Sequence, residues 1–489
     1  MYGNPFAGRR GIIDDSIDQL LRPAADAVSS FIFFDVQVAG ADFPLIVAWL
    51  VLGGLFFTFY LGFINIRGFS EGIHVVLGKR RSSEVASGEI TAFQALATAV
   101  SGTVGIGNIA GVAIAISLGG PGATFWLIVA GFLGMSTKFA ECTLGVHYRR
   151  ENPDGSVSGG PMYYLERGLA EHNMARLGKG LGLFYAASMV IGCLGIGNMF
   201  QANQAAAILT TVTGGEASPL AGNAWAIGLV MAIVVALVIV GGIQSIARVT
   251  SRLVPFMAIL YTLSAVIIIA INADKLPWAV SAIVEGAFSP AGVTGGMIGV
   301  IIIGFRRAVF SNEAGLGSAS IAHSAVRTDY PATEGYVGLL EPFIDTVVIC
   351  TLTALVIITT IYDPALSGAG ISGIEMTTRA FEQTVSWSPV PLSIAAVLFA
   401  FSTMISWSYY GLKAFTYLAG ESKTGQTIYK LIFCAFIVLG ASIQLQALID
   451  LSDALVFVVA IPNLLGLYLL APVVREEIRR YADSHHFDS

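Results

Sequence analysis

Residues 91–118 are apolar and long enough to cross a bilayer, yet their middle, residues 101–111, reads SGTVGIGNIAG. Backbone inside a membrane must satisfy its own hydrogen bonds, so irregular backbone persists there only within protein or beside a cavity. Four glycines with a Ser, a Thr and an Asn therefore predict a helix that breaks in mid-membrane and offers carbonyls and amides to a ligand. The other reading is close helix packing through small residues. A second stretch favours the first. Residues 311–320 read SNEAGLGSAS, and both stretches follow S-x-x-x-G-[IL]-G-[NS], 210 positions apart. Matched, Gly-interrupted segments in the two halves of a chain point to the binding site of a secondary transporter.

The rest of the chain fits that class. Of 489 residues, 55% are hydrophobic and 12% charged, and the mean hydropathy is +0.75. A soluble protein carries about 25% charged residues, so an all-α polytopic membrane protein is the class left. No basic cluster with interleaved aromatics supports nucleic-acid binding. Cys142, Cys193, Cys350 and Cys434 lie in apolar segments without metal spacing and read as buried thiols. No nucleophile–base or metal constellation argues for an enzyme, and no obligate protein partner is evident.

Hydropathy predicts eleven transmembrane helices, at residues 44–66, 91–118, 123–147, 181–209, 224–243, 254–271, 292–325, 336–360, 391–410, 428–445 and 454–474. An amphipathic helix over 12–34 is expected to lie at the interface. Residues 362–388 are expected to form a re-entrant or capping hairpin. Of 26 Lys and Arg, seventeen fall in loops after odd-numbered spans or in the tail, and two in loops after even-numbered spans. The positive-inside rule then puts the N-terminus outside and the C-terminus in the cytoplasm of a plasma-membrane protein, or an inner-membrane protein in a Gram-negative cell. Arg9, Arg10 and Arg22 run against it. The organisation is an N-terminal segment (1–42), an extra span with its loop (43–88), two five-helix repeats (89–275 and 276–474) and a tail (475–489). Five crossings per repeat invert the second copy, and each copy begins with its broken helix, which sets a substrate site at the midplane.

Polar residues within spans are candidates for that site. Asn198 and Gln201 share a helix face, and Asn203 lies off it. Lys138 and Glu141 are three apart and are expected to pair. Glu313 and Asp345 could set a gate or the helix break.

The motifs TVGIGNIAGVAIAI, GGPGATFW, GGPMYY, GIGNMFQAN, RAVFSNEAGLGSA and ISWSYYG resemble the alanine or glycine:cation symporter family. The resemblance runs from about residue 43 to the end of the chain. It implies a LeuT-like fold, with a 5+5 inverted repeat and broken first helices, preceded by one extra span. It also implies symport of small neutral amino acids, chiefly alanine and glycine, with co-transported sodium or, in some members, protons. Residues 91–118 are similar to the first core helix of LeuT-fold neurotransmitter:sodium symporters. By that register Ser101 and Val104 give carbonyls to sodium, joined by the Ala400 carbonyl and the Thr403 hydroxyl. The fold's adjacent Ser is Met404 here, with Ser402 as its replacement. Thr103 and Asn108 lie near the substrate or a second cation. The substrate carboxylate is expected near Thr103 and Gly105, at the positive end of a half-helix. The ammonium is expected near carbonyls from Phe310 through Ala314 to Gly315, with Asn198 or Gln201. Phe310 and Trp407 are the implied pocket walls.

Overall fold

The computed structural model describes residues 34–485, apart from 39–40, 81–85, 154, 289–295, 363–372 and 444. The interfacial helix expected over 12–34 lies outside them but for Phe34. A short hairpin opens the described chain: β1 (Asp35–Val38) pairs antiparallel with β2 (Ala41–Pro44), with Asp35 opposite Pro44. Everything large that follows is helical, as backbone in a membrane requires.

Helix α1 (Leu45–Tyr60) is followed by α2 (Phe69–Val76), which lies outside the apolar segments. The first broken span is α3 (Ala92–Thr103), a single tight turn at Ile106–Asn108, and α4 (Ala110–Gly119). Its two parts meet at 56°. Thr91 and Gln94 form a reciprocal capping box that fixes where α3 starts. Helix α5 (Gly122–His147) leads to α6 (Pro161–Glu171). Residues 161–165 of α6 are buried, so this segment packs into the protein rather than lying on the membrane face.

Helices α7 (Ala175–Leu194) and α8 (Phe200–Val212) are joined by a π turn at Gly195–Met199. Then come α9 (Ala224–Ile239), α10 (Gly242–Ile271) and α11 (Leu276–Phe288). A second interruption separates α12 (Gly296–Asn312) from α13 (Ser318–His323). Helix α14 runs Pro331–Thr360. It is followed by α15 (Ile374–Thr384), α16 (Pro389–Ala419), α17 (Lys423–Ser442), α18 (Leu445–Leu469) and α19 (Ala471–His485). Among the described residues seven helices are long and apolar enough to cross a membrane, or eight with α3 and α4 as one bent span.

The described part of the expected capping hairpin is α15. Its Thr377 hydroxyl donates to the Ile109 carbonyl at 3.1 Å, in the turn between α3 and α4. The described part of the tail lies in helix α19. It docks on α2: Tyr481 bonds Glu71, and Arg80 reaches the same carboxylate at 2.6 Å.

The expected Lys138–Glu141 pair is corrected. Lys138 Nζ bonds Glu341 of α14 at 3.1 Å. Glu141 instead accepts from Gly317 N at 3.0 Å and Asn463 Nδ2 at 2.8 Å. Glu341 also faces His323 Nε2 at 2.6 Å, and Glu334 faces His323 Nδ1 at 2.5 Å. These groups are fully buried, and pairing them offsets part of the penalty each charge would carry alone.

Candidate functional site: two helix breaks around one continuous helix

The first break falls at Val104–Gly105. A helix leaves its last four carbonyls without intrahelical partners, and its dipole makes that end negative. Here α16 supplies partners. Thr403 Oγ1 donates to Ser101 O at 3.0 Å, and Trp407 Nε1 donates to Gly102 O at 3.2 Å. Thr103 turns its hydroxyl back to Val100 O at 3.3 Å. The Ser101 hydroxyl donates to Ser402 O and meets Ser406 Oγ, both at 2.7 Å. Ser406, one turn beyond Ser402, is a contact the sequence reading missed. The Ser402 hydroxyl itself donates to Phe399 O in its own helix. Ala400 is fully buried one turn before Thr403.

Beyond the break, exposed amides need acceptors. Gly105 N donates to Asn108 Oδ1 at 2.9 Å, and Ile106 N donates to Gln201 Oε1 at 3.1 Å. Gly105 is forced by space: a Cβ there would stand 2.5 Å from Thr403 Oγ1 and 3.1 Å from Gln201 Oε1. Ser101, Val104, Gly105, Gln201, Thr403 and Trp407 thus gather at one point. Asn198 does not join them by hydrogen bonding. Its Nδ2 donates to Phe433 O at 2.7 Å in α17, while its buried Oδ1 has no partner among the described residues. Asn203 reaches Gly440 O and Ile443 O.

The second break spans residues 313–317, where Glu313, Gly315 and Gly317 have φ of 59°, 91° and 75°. The Ala314 methyl packs against Gly134 of α5, and the Gly315 backbone lies against Leu50 of α1, where an added Cβ would collide. The Gly315 carbonyl accepts from Asn463 and the Leu316 carbonyl from Tyr185. Phe310 reaches across: its ring lies 3.5 Å from where a Cβ on Gly107 would be, and it meets Phe200 edge-on at 5.2 Å.

Asp345 of α14 joins the two breaks. It accepts from Asn108 Nδ2 at 2.6 Å and from Ser311 Oγ at 2.8 Å, with Thr346 as a further donor. Asn108 belongs to the first copy of the motif and Ser311 to the second. The repeat therefore has a structural meaning: both copies converge on one buried carboxylate.

Two broken helices that meet beside a continuous one, with polar groups concentrated in an otherwise apolar bundle, define a multi-pass secondary transporter of the LeuT-like fold. The model of the sodium:alanine symporter family matches residues 29–488, and the chain belongs to that family. It is a transporter, not an enzyme. The sodium/alanine symporter AgcS of Methanococcus maripaludis is 40% identical over 439 residues, 90% of this chain and 94% of that relative. The amino-acid carrier protein AlsT of Bacillus subtilis is 33% identical, covering 89% of each chain. The solved structure of MhsT in complex with L-phenylalanine superposes with a TM-score of 0.58 at 16% identity, covering 79% of this chain and 89% of that one. The family resemblance read from the motifs is borne out, and cation-coupled amino-acid symport is the activity it brings.

Proposed function

We propose that the chain carries small neutral amino acids, alanine and glycine, into the cell by sodium-coupled symport. The observation that carries this is the meeting of the Thr403 hydroxyl with the Ser101 carbonyl at the negative end of α3. Sodium binds there among the Ser101, Val104 and Ala400 carbonyls and the Thr403 hydroxyl. Ser101's own hydroxyl, held by Ser402 and Ser406, fixes the carbonyl's direction. The substrate carboxylate lies by Thr103, Gly105 and Asn108. The ammonium lies between Gln201 and the carbonyls of residues 310–314. Phe310 and Trp407 limit the side chain to a methyl or a hydrogen.

The eleven-span count rests on the eight long candidates, the shorter apolar helices α1 and α9, and the split pair α12 and α13. The two repeats, 89–275 and 276–474, rock against each other between outward- and inward-facing states. The Lys and Arg distribution supports a cytoplasmic C-terminus. Sodium entry down about 100 mV supplies roughly 2.3 kcal/mol per charge. At about 1.4 kcal/mol per tenfold, that concentrates a neutral amino acid some fiftyfold.

A second reading, proton coupling, is favoured by Asp345, whose hydrogen bonds come from neutral donors at the junction of the breaks. Uptake of labelled alanine into proteoliposomes separates the two. Accumulation with an imposed sodium gradient, and none with a proton gradient alone, supports the sodium reading. The reverse result moves coupling to Asp345.

A further inference from the structure

We infer that Glu313 is a positioning residue that holds Trp407 as a rigid wall and thereby sets which amino-acid side chains the site accepts. This deepens the symport reading and rests on it.

Glu313 is 1% exposed and opens the second break with φ +59°, a backbone conformation that residues with a Cβ rarely adopt. Its side chain shows what that conformation achieves. One carboxylate oxygen accepts the indole N–H of Trp407 at 3.0 Å, and the other accepts the Ser318 hydroxyl. The same N–H faces Gly102 O at 3.2 Å. A single donor is therefore shared between a carbonyl of the first break and a carboxylate of the second.

The rest of the indole is confined as well. A Cβ on Gly197, in the π turn between α7 and α8, would collide with the Trp407 ring. Tyr410 meets the ring at 5.6 Å between centroids. With Gly197 beneath and Tyr410 beside it, the ring can shift chiefly along the line between Gly102 and Glu313. Loss of the carboxylate leaves the ring tethered to Gly102 O alone. A rigid wall rejects an added methylene by overpacking, whereas a wall that gives does not. Glu313 therefore acts on substrate size through Trp407, and touches no substrate atom itself.

The test is competition for labelled alanine uptake, driven by sodium into proteoliposomes, by 2-aminobutyrate, one methylene longer. Glu313→Ala is expected to lower the preference for alanine by about tenfold, within the range one methylene commands. Glu313→Gln keeps an acceptor and is expected to restore the preference. Trp407→Phe, which lacks the N–H, is expected to match Glu313→Ala, and the double variant to add nothing further, as coupled residues do. Losses that multiply in the double variant overturn the proposal, as does an unchanged preference in Glu313→Ala. Where Glu313→Ala does not fold, Ser318→Ala decides: a reduced preference supports the proposal and an unchanged one overturns it. Wild-type protein that accumulates no alanine fails the symport reading instead, and that control is read first.

Discussion

The Thr403 hydroxyl lies 3.0 Å from the Ser101 carbonyl, 302 positions away in sequence, at the point where α3 ends inside the bundle. The two residues belong to opposite halves of the chain. Anything held between them senses whether the halves are together.

Removal of that hydroxyl is expected to weaken sodium dependence. Thr403→Ala should raise the sodium concentration for half-maximal alanine uptake about tenfold, equivalent to about 1.4 kcal/mol. Thr403→Ser, which keeps the oxygen, should stay closer to wild type. Sodium titration of uptake in proteoliposomes checks both.

Gly105→Ala tests how tightly the first break is packed. Its methyl would stand 2.5 Å from Thr403 Oγ1 and 3.1 Å from Gln201 Oε1. With overpacking at about 1–3 kcal/mol and about 1.4 kcal/mol per tenfold, uptake should fall roughly five- to a hundredfold. The same overpacking costs stability, so the melting temperature should fall with it.

Lys138→Met leaves Glu341 buried with His323 as its one ion-pair partner among the described residues. Loss of one member of a buried pair costs about 3–5 kcal/mol, so the melting temperature in detergent should drop markedly. Lys138→Met combined with Glu341→Gln should recover part of the loss.

Outside the membrane, the docking of α19 depends on pH. Burial pushes the Glu71 carboxyl up, but the bonds from Arg80 and Tyr481 and the Arg80 charge outweigh it and hold it below its ordinary 4.5. A carboxyl depressed in the folded state stabilises above its unfolded value and loses that contribution as pH falls through the folded one. The melting-temperature difference between wild type and Glu71→Gln should be constant from neutral pH down to about 5 and shrink below it.

Both breaks were legible in the sequence because glycine-rich, polar backbone inside an apolar segment has few other uses. Ser101, Gly105, Gln201 and Thr403 come together at the first break, and Phe310 reaches it. Other features were hidden for physical reasons. Lys138 has a carboxylate three residues away on its own helix, and sequence spacing cannot show that Glu341, 203 positions on, lies closer. Asn198 looked equivalent to Gln201, but the π turn directs its amide to α17. Helix α11 falls between two of the expected spans, and its Pro277 sits in the first turn, where proline is tolerated. Asn463 was a lone amide in the last apolar segment, and its role in satisfying the Gly315 carbonyl exists only once the second break is formed.

The central claim is that sodium and amino acid occupy neighbouring sites built on the same break. Linkage then requires sodium to tighten amino-acid binding and the amino acid to tighten sodium binding by the same factor. The direct measurement is equilibrium binding of labelled alanine to the purified protein in sodium against potassium, for wild type and Thr403→Ala. The account predicts binding that strengthens with sodium in the wild type and loses most of that dependence in the variant. Alanine binding of equal strength in sodium and potassium, or a sodium effect that survives intact in Thr403→Ala, would contradict it.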